Sequence, residues 1–194
     1  MSKLYFTYSA MNAGKSAILL QAAYNYRERG MNVMLWTSGH YGVAPDAEMG
    51  SIESRIGLQA DAHLYRPGTD LFEAIAAQHK ATPLGAIFFD EAQFLTPTQV
   101  WQLAKVGDEL KLPVLCYGLR TDFQGELFEG SSALLALADD LREARTICHC
   151  GKKATMTARM DEAGNALTEG AQVSVGKEVY VSLCRKHWKE ALGR

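Results

Sequence analysis

The stretch LYFTYSAMNAGKSAILLQ, residues 4–21, decides the fold. Leu4 to Tyr8 is an unbroken run of apolar, aromatic and β-branched residues and reads as a buried strand. Ser9 to Gly14 is a loop of small residues. From Lys15 the sequence is helix-forming as far as Gly30, a good terminator, and Ile18, Ala22 and Tyr26 are spaced to share one face of that helix. Strand, loop and helix in this order are the context of the G-x-x-x-x-G-K-[ST] phosphate loop. Ser9-Ala10-Met11-Asn12-Ala13-Gly14-Lys15-Ser16 fits that pattern, with Ser9 where the first glycine belongs. Such a corner cradles an anion with backbone N–H groups and a helix N-terminus. Lys15 then reaches the β- and γ-phosphates of a nucleotide, and the Ser16 hydroxyl ligates Mg²⁺.

Working outward, strands are expected at Val33–Thr37, Ala86–Phe89 and Val114–Tyr117, and helices at Leu71–His79, Thr98–Leu110 and Ser131–Leu141. Strands that are continuous apolar runs, alternating with helices, predict an α/β domain over residues 1–145: a P-loop NTPase-like parallel sheet with helices on both faces. The interval from Ser38 to Pro67, rich in Gly, Ser and Asp, reads as a long, irregular and mobile loop. The third strand closes on Asp90-Glu91, the form of a Walker B strand. At the carboxyl end of a central parallel strand these acids face the phosphate crevice. Asp90 is suited to hold the Mg²⁺ shell and Glu91 to take a proton from the attacking nucleophile.

After residue 145 the pattern changes to short β-like pieces (Ala154–Met160, Val173–Val175 and Tyr180–Cys184), with turns at Asp161–Gly164 and Gly176. This predicts a small, zinc-ribbon-like β lobe over residues 146–194, below the size that usually folds on its own core. Cys148, Cys150, Cys184 and His187 bracket it and offer a Cys₃His set for tetrahedral structural Zn²⁺. His149 is a rival ligand, and the spacing of His187 from Cys184 favours His187. Cys116, in the fourth strand, reads as a small core residue.

Composition narrows the class. The chain has 194 residues and a formal net charge of −2, with 47% hydrophobic and 22% charged residues. Those fractions exclude disorder as the main state. The mild acidity and the lack of a basic stripe argue against nucleic acid as a partner. No apolar run reaches the length of a membrane span. The first residues lack the apolar region of a signal peptide, so the expected location is cytoplasmic.

The phosphate loop, Asp90-Glu-Ala-Gln-Phe94, Tyr117-Gly-Leu-Arg-Thr-Asp-Phe-Gln-Gly-Glu-Leu-Phe128, Cys148-x-Cys150 and Tyr180-Val-Ser-Leu-Cys184-Arg-Lys-His187 together resemble the type II thymidine kinases, in particular the bacterial branch. The resemblance runs in order over nearly the whole chain. It implies transfer of the γ-phosphate of ATP to the 5′-hydroxyl of thymidine, with deoxyuridine as a further acceptor, and a homotetramer. It implies that Glu91 takes the 5′-hydroxyl proton, and that residues 9–16 with Asp90 and Gln93 bind ATP. It places Met11, Phe94, Leu119, Phe123 and Phe128 around the nucleoside. Val173, Ser174, Val175 and Gly176 would meet the base edge, under a lasso that carries Tyr180. Read without the resemblance, Phe94 and Phe128 fit core packing better.

One departure stands out. The family usually carries an Asp-x-Arg pair after the second strand, and Thr37–Asp46 has none; the segment is also longer by a few residues. Ser51-Ile-Glu-Ser-Arg55-Ile-Gly57 does fit, and Arg55 or Arg120 could stand in for the missing cation. Two other readings use the same motifs: a P-loop ATPase with a zinc ribbon acting on nucleic acid, and a nucleotide-binding relative without catalysis.

Overall fold

The structure is a computed structural model, and it describes residues 3–40, 43–173 and 179–194. Its first strand, β1 (Leu4–Ser9), leads through the loop at residues 10–14 into α1 (Lys15–Glu28). The chain continues through β2 (Asn32–Ser38), β3 (Met49–Glu53), β4 (Gln59–Tyr65), α2 (Leu71–Ala81) and β5 (Leu84–Phe89). Next come α3 (Pro97–Lys105), β6 (Val114–Leu119), α4 (Glu129–Leu137) and β7 (Asp140–Glu143). The seven strands form one sheet in the order β3-β4-β2-β5-β6-β1-β7. All its pairings are parallel except that of β3 with β4 at the edge. The central strands are buried on both faces. Phe6, Ile87, Phe89 and Val114 pack with α2, α3 and α4, while Ala86, Phe88 and Leu35 pack with Leu19, Leu20 and Ala23 of α1.

Four local expectations change. The interval 38–67 is not an irregular loop, because β3 and β4 form an antiparallel hairpin in register from Met49↔His63 to Glu53↔Gln59. Its inward residues, Ile52, Ala62 and Leu64, are buried, and polar residues separate them. That is the alternation of an edge strand with one wet face. The helix expected to reach Leu141 stops at Leu137, and Asp140–Glu143 pairs with β1 instead. In α1 the buried residues are Leu19, Leu20 and Ala23, whereas Ile18 is 45% exposed. Ala22 and Tyr26 pack against the same cluster as partly buried residues, so of the expected face only Ile18 turns outward. The helix expected to end at Leu110 keeps its length, but its last turn, Val106–Leu110, widens into a π-helix.

Beyond β7 lie two short strands, β8 (Thr146–Ile147) and β9 (Lys153–Ala154), paired antiparallel. A second antiparallel pair follows, β10 (Met156–Met160) with β11 (Val179–Leu183), and α5 (Arg185–Ala191) closes the fold. A separate small cluster sits here: Cys148, Ala154, Ala158, Leu183, Cys184, Trp188 and Leu192. No helix of the described residues is long and apolar enough to cross a membrane.

Candidate active site and metal centre

The phosphate loop is shaped by two residues in left-handed backbone conformation, Asn12 (φ 61°) and Gly14 (φ 75°). Gly14 caps α1, and a β-carbon there would strain the turn that aims N–H groups at an anion. Lys15 is buried and donates to Ser9 Oγ (3.0 Å) and to the Ala10 carbonyl (3.3 Å). Burial lowers its pKa, against the raising influence of Glu91 and Asp90. Asp90 lies beside it, also buried. Burial and the neighbouring Glu91 push its pKa up to about 6, although the Ser16 hydroxyl, the Glu91 N–H and Lys15 favour the charged form. A carboxylate held so reluctantly ionised beside a hydroxyl is a good donor set for a hard cation.

A cavity of about 360 Å³ opens over this corner. The phosphate loop forms one wall, and the tip of the β3–β4 hairpin, Glu53 to Ile56, forms the other. Ser54 braces the tip: its N–H and hydroxyl both donate to the Leu58 carbonyl, and its Oγ accepts from Leu58 N–H at 2.9 Å. Arg55, in this braced turn, lines the cavity across from the phosphate loop. Arg120 is employed elsewhere, donating to the Thr155 carbonyl at 3.1 Å.

A second, more apolar cavity of about 150 Å³ lies alongside. Met11, Phe94, Leu119, Phe123, Phe128, Val173 and Tyr180 line it, as does Gln93, expected beside the nucleotide. Ser174, Val175 and Gly176 lie outside the described residues. The aromatic walls are also packed walls. Phe94 meets Phe128 edge-on with centroids 5.8 Å apart, and Phe123 carries the Arg159 guanidinium 3.8 Å over its ring. Arg159 donates to the Ala171 and Glu169 carbonyls and so fixes the chain leading to Val173. Asp122 receives the Gln124 and Glu126 N–H groups and the Gln172 amide. Arg159, Asp122 and Gln172 were not singled out in the sequence, where nothing marks them as partners.

Glu91, Met11 and Leu119 border both cavities. Glu91 sits at φ 52°, ψ 34°, a left-handed conformation that costs a residue with a β-carbon about 1–2 kcal/mol. Its surroundings hold it there. Asp90 Oδ1 accepts its N–H at 3.0 Å, its carbonyl accepts from Phe94 N–H at 3.1 Å and from the Tyr65 hydroxyl at 2.7 Å, and the Gln93 amide donates to its carboxylate. Gln93 is itself fixed, its carbonyl oxygen accepting Leu119 N–H at 3.0 Å. Gly118 allows this approach, since a β-carbon there would lie 2.9 Å from Gln93 N.

The two halves of the chain meet at Met11. Its N–H donates to Thr157 Oγ1 at 3.2 Å, and its carbonyl accepts from the Ser182 hydroxyl. Thr157 and Ser182 are directly opposed on β10 and β11. That hairpin rests on the cysteine cluster. The ligand atoms of Cys148, Cys150, Cys184 and His187 all lie within 4.8 Å of one another. His187 Nδ1 is 3.3 Å from Cys148 Sγ and 3.4 Å from Cys184 Sγ, and the Cys150 and Cys184 sulfurs are 4.0 Å apart. A tetrahedral zinc ion with its usual bond lengths has edges of roughly 3.5–3.8 Å, so the donors fit the metal. Zinc bound there would cross-link β11 and α5 to the turn at Cys148–Cys150. His149 stacks on the His187 ring, with centroids 4.3 Å apart. Cys116 is fully buried in the sheet, and burial raises its thiol pKa far above the usual range, as befits a core residue.

Comparison with known proteins agrees with this geometry. The profile of the family described as thymidine kinase matches residues 2–188. A thymidine kinase of Ruegeria pomeroyi is 60% identical over 194 residues, covering 100% of this chain and 96% of that one. One of Mesorhizobium japonicum is 59% identical, covering 100% and 94%. One of Vibrio cholerae is 57% identical over 198 residues, covering both chains completely. With a phosphate loop, an acid at the junction of two cavities and a matching family profile over almost its full length, the chain belongs to the thymidine kinase family.

Proposed function

We propose that the chain transfers the γ-phosphate of ATP to the 5′-hydroxyl of thymidine, with deoxyuridine as a second acceptor. The observation that carries this reading is the place of Glu91 on the shared wall of a phosphate cavity and an apolar, aromatic one. ATP binds with its phosphates on residues 9–16, against Lys15. Thymidine enters between Phe94, Phe128, Leu119 and Tyr180, a slot suited to a pyrimidine. The 5′-hydroxyl then meets Glu91, which takes its proton as the oxygen attacks phosphorus in line with the leaving diphosphate oxygen. Ser16 and Asp90 would hold Mg²⁺ with the nucleotide, and the ion supplies charge neutralisation along the phosphates. Gln93 keeps the Glu91 carboxylate turned toward the acceptor. Arg55 stands in for the Asp-x-Arg cation, since its turn faces the phosphate cavity and Arg120 is spent on Thr155.

The α/β body of residues 1–145 and the zinc lobe of residues 146–194 divide the labour: the first carries phosphate chemistry, the second closes the nucleoside slot. The enzyme works in the cytoplasm on small molecules rather than nucleic acid, as a homotetramer. Exposed Ile18, Tyr24 and Trp101 supply apolar surface that assembly would cover. Incubation with Mg²⁺, ATP and a panel of nucleosides should give thymidine and deoxyuridine monophosphates. Glu91→Gln should lower turnover at least about a hundredfold while ATP binding persists. A variant with wild-type turnover would overturn the base assignment.

A further inference from the structure

We infer that Tyr65 is a positioning residue for catalysis, acting through its hydroxyl on the main chain of Glu91; this rests on Glu91 being the base. Tyr65 is the last residue of β4 and is completely buried. β2 and β4 are neighbours, as are β2 and β5, so the tyrosine reaches across the end of β2 to the residue that follows Asp90. Its hydroxyl donates to the Glu91 carbonyl at 2.7 Å. Burial keeps the phenol protonated far above neutral pH, so the donor is constant.

Nearby, Ser38 Oγ lies 2.8 Å from His40 Nδ1 and accepts His40 N–H at 3.2 Å. This pair lies at the start of the segment that lacks the Asp-x-Arg pair. The rings lock the same arrangement, with His40 edge-on to Tyr65 at 6.2 Å and stacked near Phe94 at 5.8 Å.

The catalytic consequence follows from the backbone of Glu91. A left-handed residue sits in a narrow well, and a small rotation of the peptide that follows it swings the side chain. Gln93 holds the carboxylate end and Tyr65 the carbonyl end, so the base is fixed from both sides. A proton acceptor displaced by about 1 Å loses rate out of proportion to any loss of binding.

Tyr65→Phe isolates the effect, because it removes one oxygen and leaves the Glu91 carbonyl paired with Phe94 N–H. The expected result is a fall of about tenfold in kcat, with KM for ATP and thymidine within about twofold and the melting temperature close to that of wild type. In a Glu91→Gln background, Tyr65→Phe should leave the residual turnover unchanged, as expected when one residue acts through the other. Full kcat in Tyr65→Phe, or an equal loss in both backgrounds, overturns the inference. Wild-type turnover in Glu91→Gln instead overturns the base assignment, which separates the two failures.

Discussion

On one side of the molecule, Phe6, Phe88, Phe89, Ile87 and Leu103 are completely buried in two clusters that sandwich a seven-stranded sheet. On the other, the lobe beyond β7 holds an apolar cluster of seven buried residues, two of which are the metal-site cysteines Cys148 and Cys184. The body folds because its strands are covered on both faces. The lobe has only two-stranded ladders, which are marginal alone in water, and a small core with a Cys₃His cluster beside it. The contrast sets a broad sheet platform beside a small lobe that carries a metal-ligand cluster, and Met11 joins the two through Thr157 and Ser182.

The comparison can be broken most severely at the metal. Structural zinc contributes on the order of 10 kcal/mol to a domain this small. Cys184→Ser should purify with well under one zinc per chain and lose thymidine turnover by more than about a hundredfold, while circular dichroism still reports the helices of the body. Retained turnover without zinc would show that the lobe stands on its own packing. The reciprocal change is Phe88→Ala, which empties a fully buried site between α1 and the sheet. Chemical denaturation should show a loss of about 3–5 kcal/mol with zinc content unchanged. A parallel loss of zinc would mean that the two regions unfold as one.

The finer predictions sharpen the contact between platform and substrate. Arg55→Ala removes a cation from the phosphate cavity without touching either core. The expected loss is about tenfold in kcat/KM for ATP, about 1.4 kcal/mol, and an unchanged value would return the role to another group. The smallest effect belongs to Trp188→Phe. The indole Nε1 donates to the Phe123 and Thr157 carbonyls, both at 3.1 Å, and so ties α5 to the nucleoside slot. Loss of that donor should cost about 1 kcal/mol of stability and raise KM for thymidine a few-fold. An unaltered KM would show that α5 supports the lobe but not the slot.

What could be read in advance follows the range of the interactions. The corner at residues 4–16 is legible because strand, left-handed glycine, lysine and hydroxyl all act within a dozen residues. The cysteine set is legible because zinc accepts few donor types at few spacings. The β3–β4 hairpin was not legible. Its strands, MGSIE and QADAHLY, are short and mix polar with small apolar residues, and only their mutual register turns Ile52, Ala62 and Leu64 inward. Asp140–Glu143 likewise becomes a strand only because the free edge of β1 accepts it.

By itself, then, the amino-acid sequence determined the donors: a phosphate cradle at Gly14-Lys15-Ser16, two acids at Asp90-Glu91, and three thiols with an imidazole. Residue type and local spacing define those chemistries, and neither needs the rest of the chain. Tertiary structure alone decided how they are held. It set Glu91 in a left-handed turn between two cavities, brought Tyr65 across β2 to its carbonyl, placed Arg55 on the wall of the larger cavity opposite residues 11–17 and bound Met11 to the lobe. The Tyr65–Glu91 contact spans 26 positions and the Met11–Ser182 contact 171, and both exist only once the sheet has assembled.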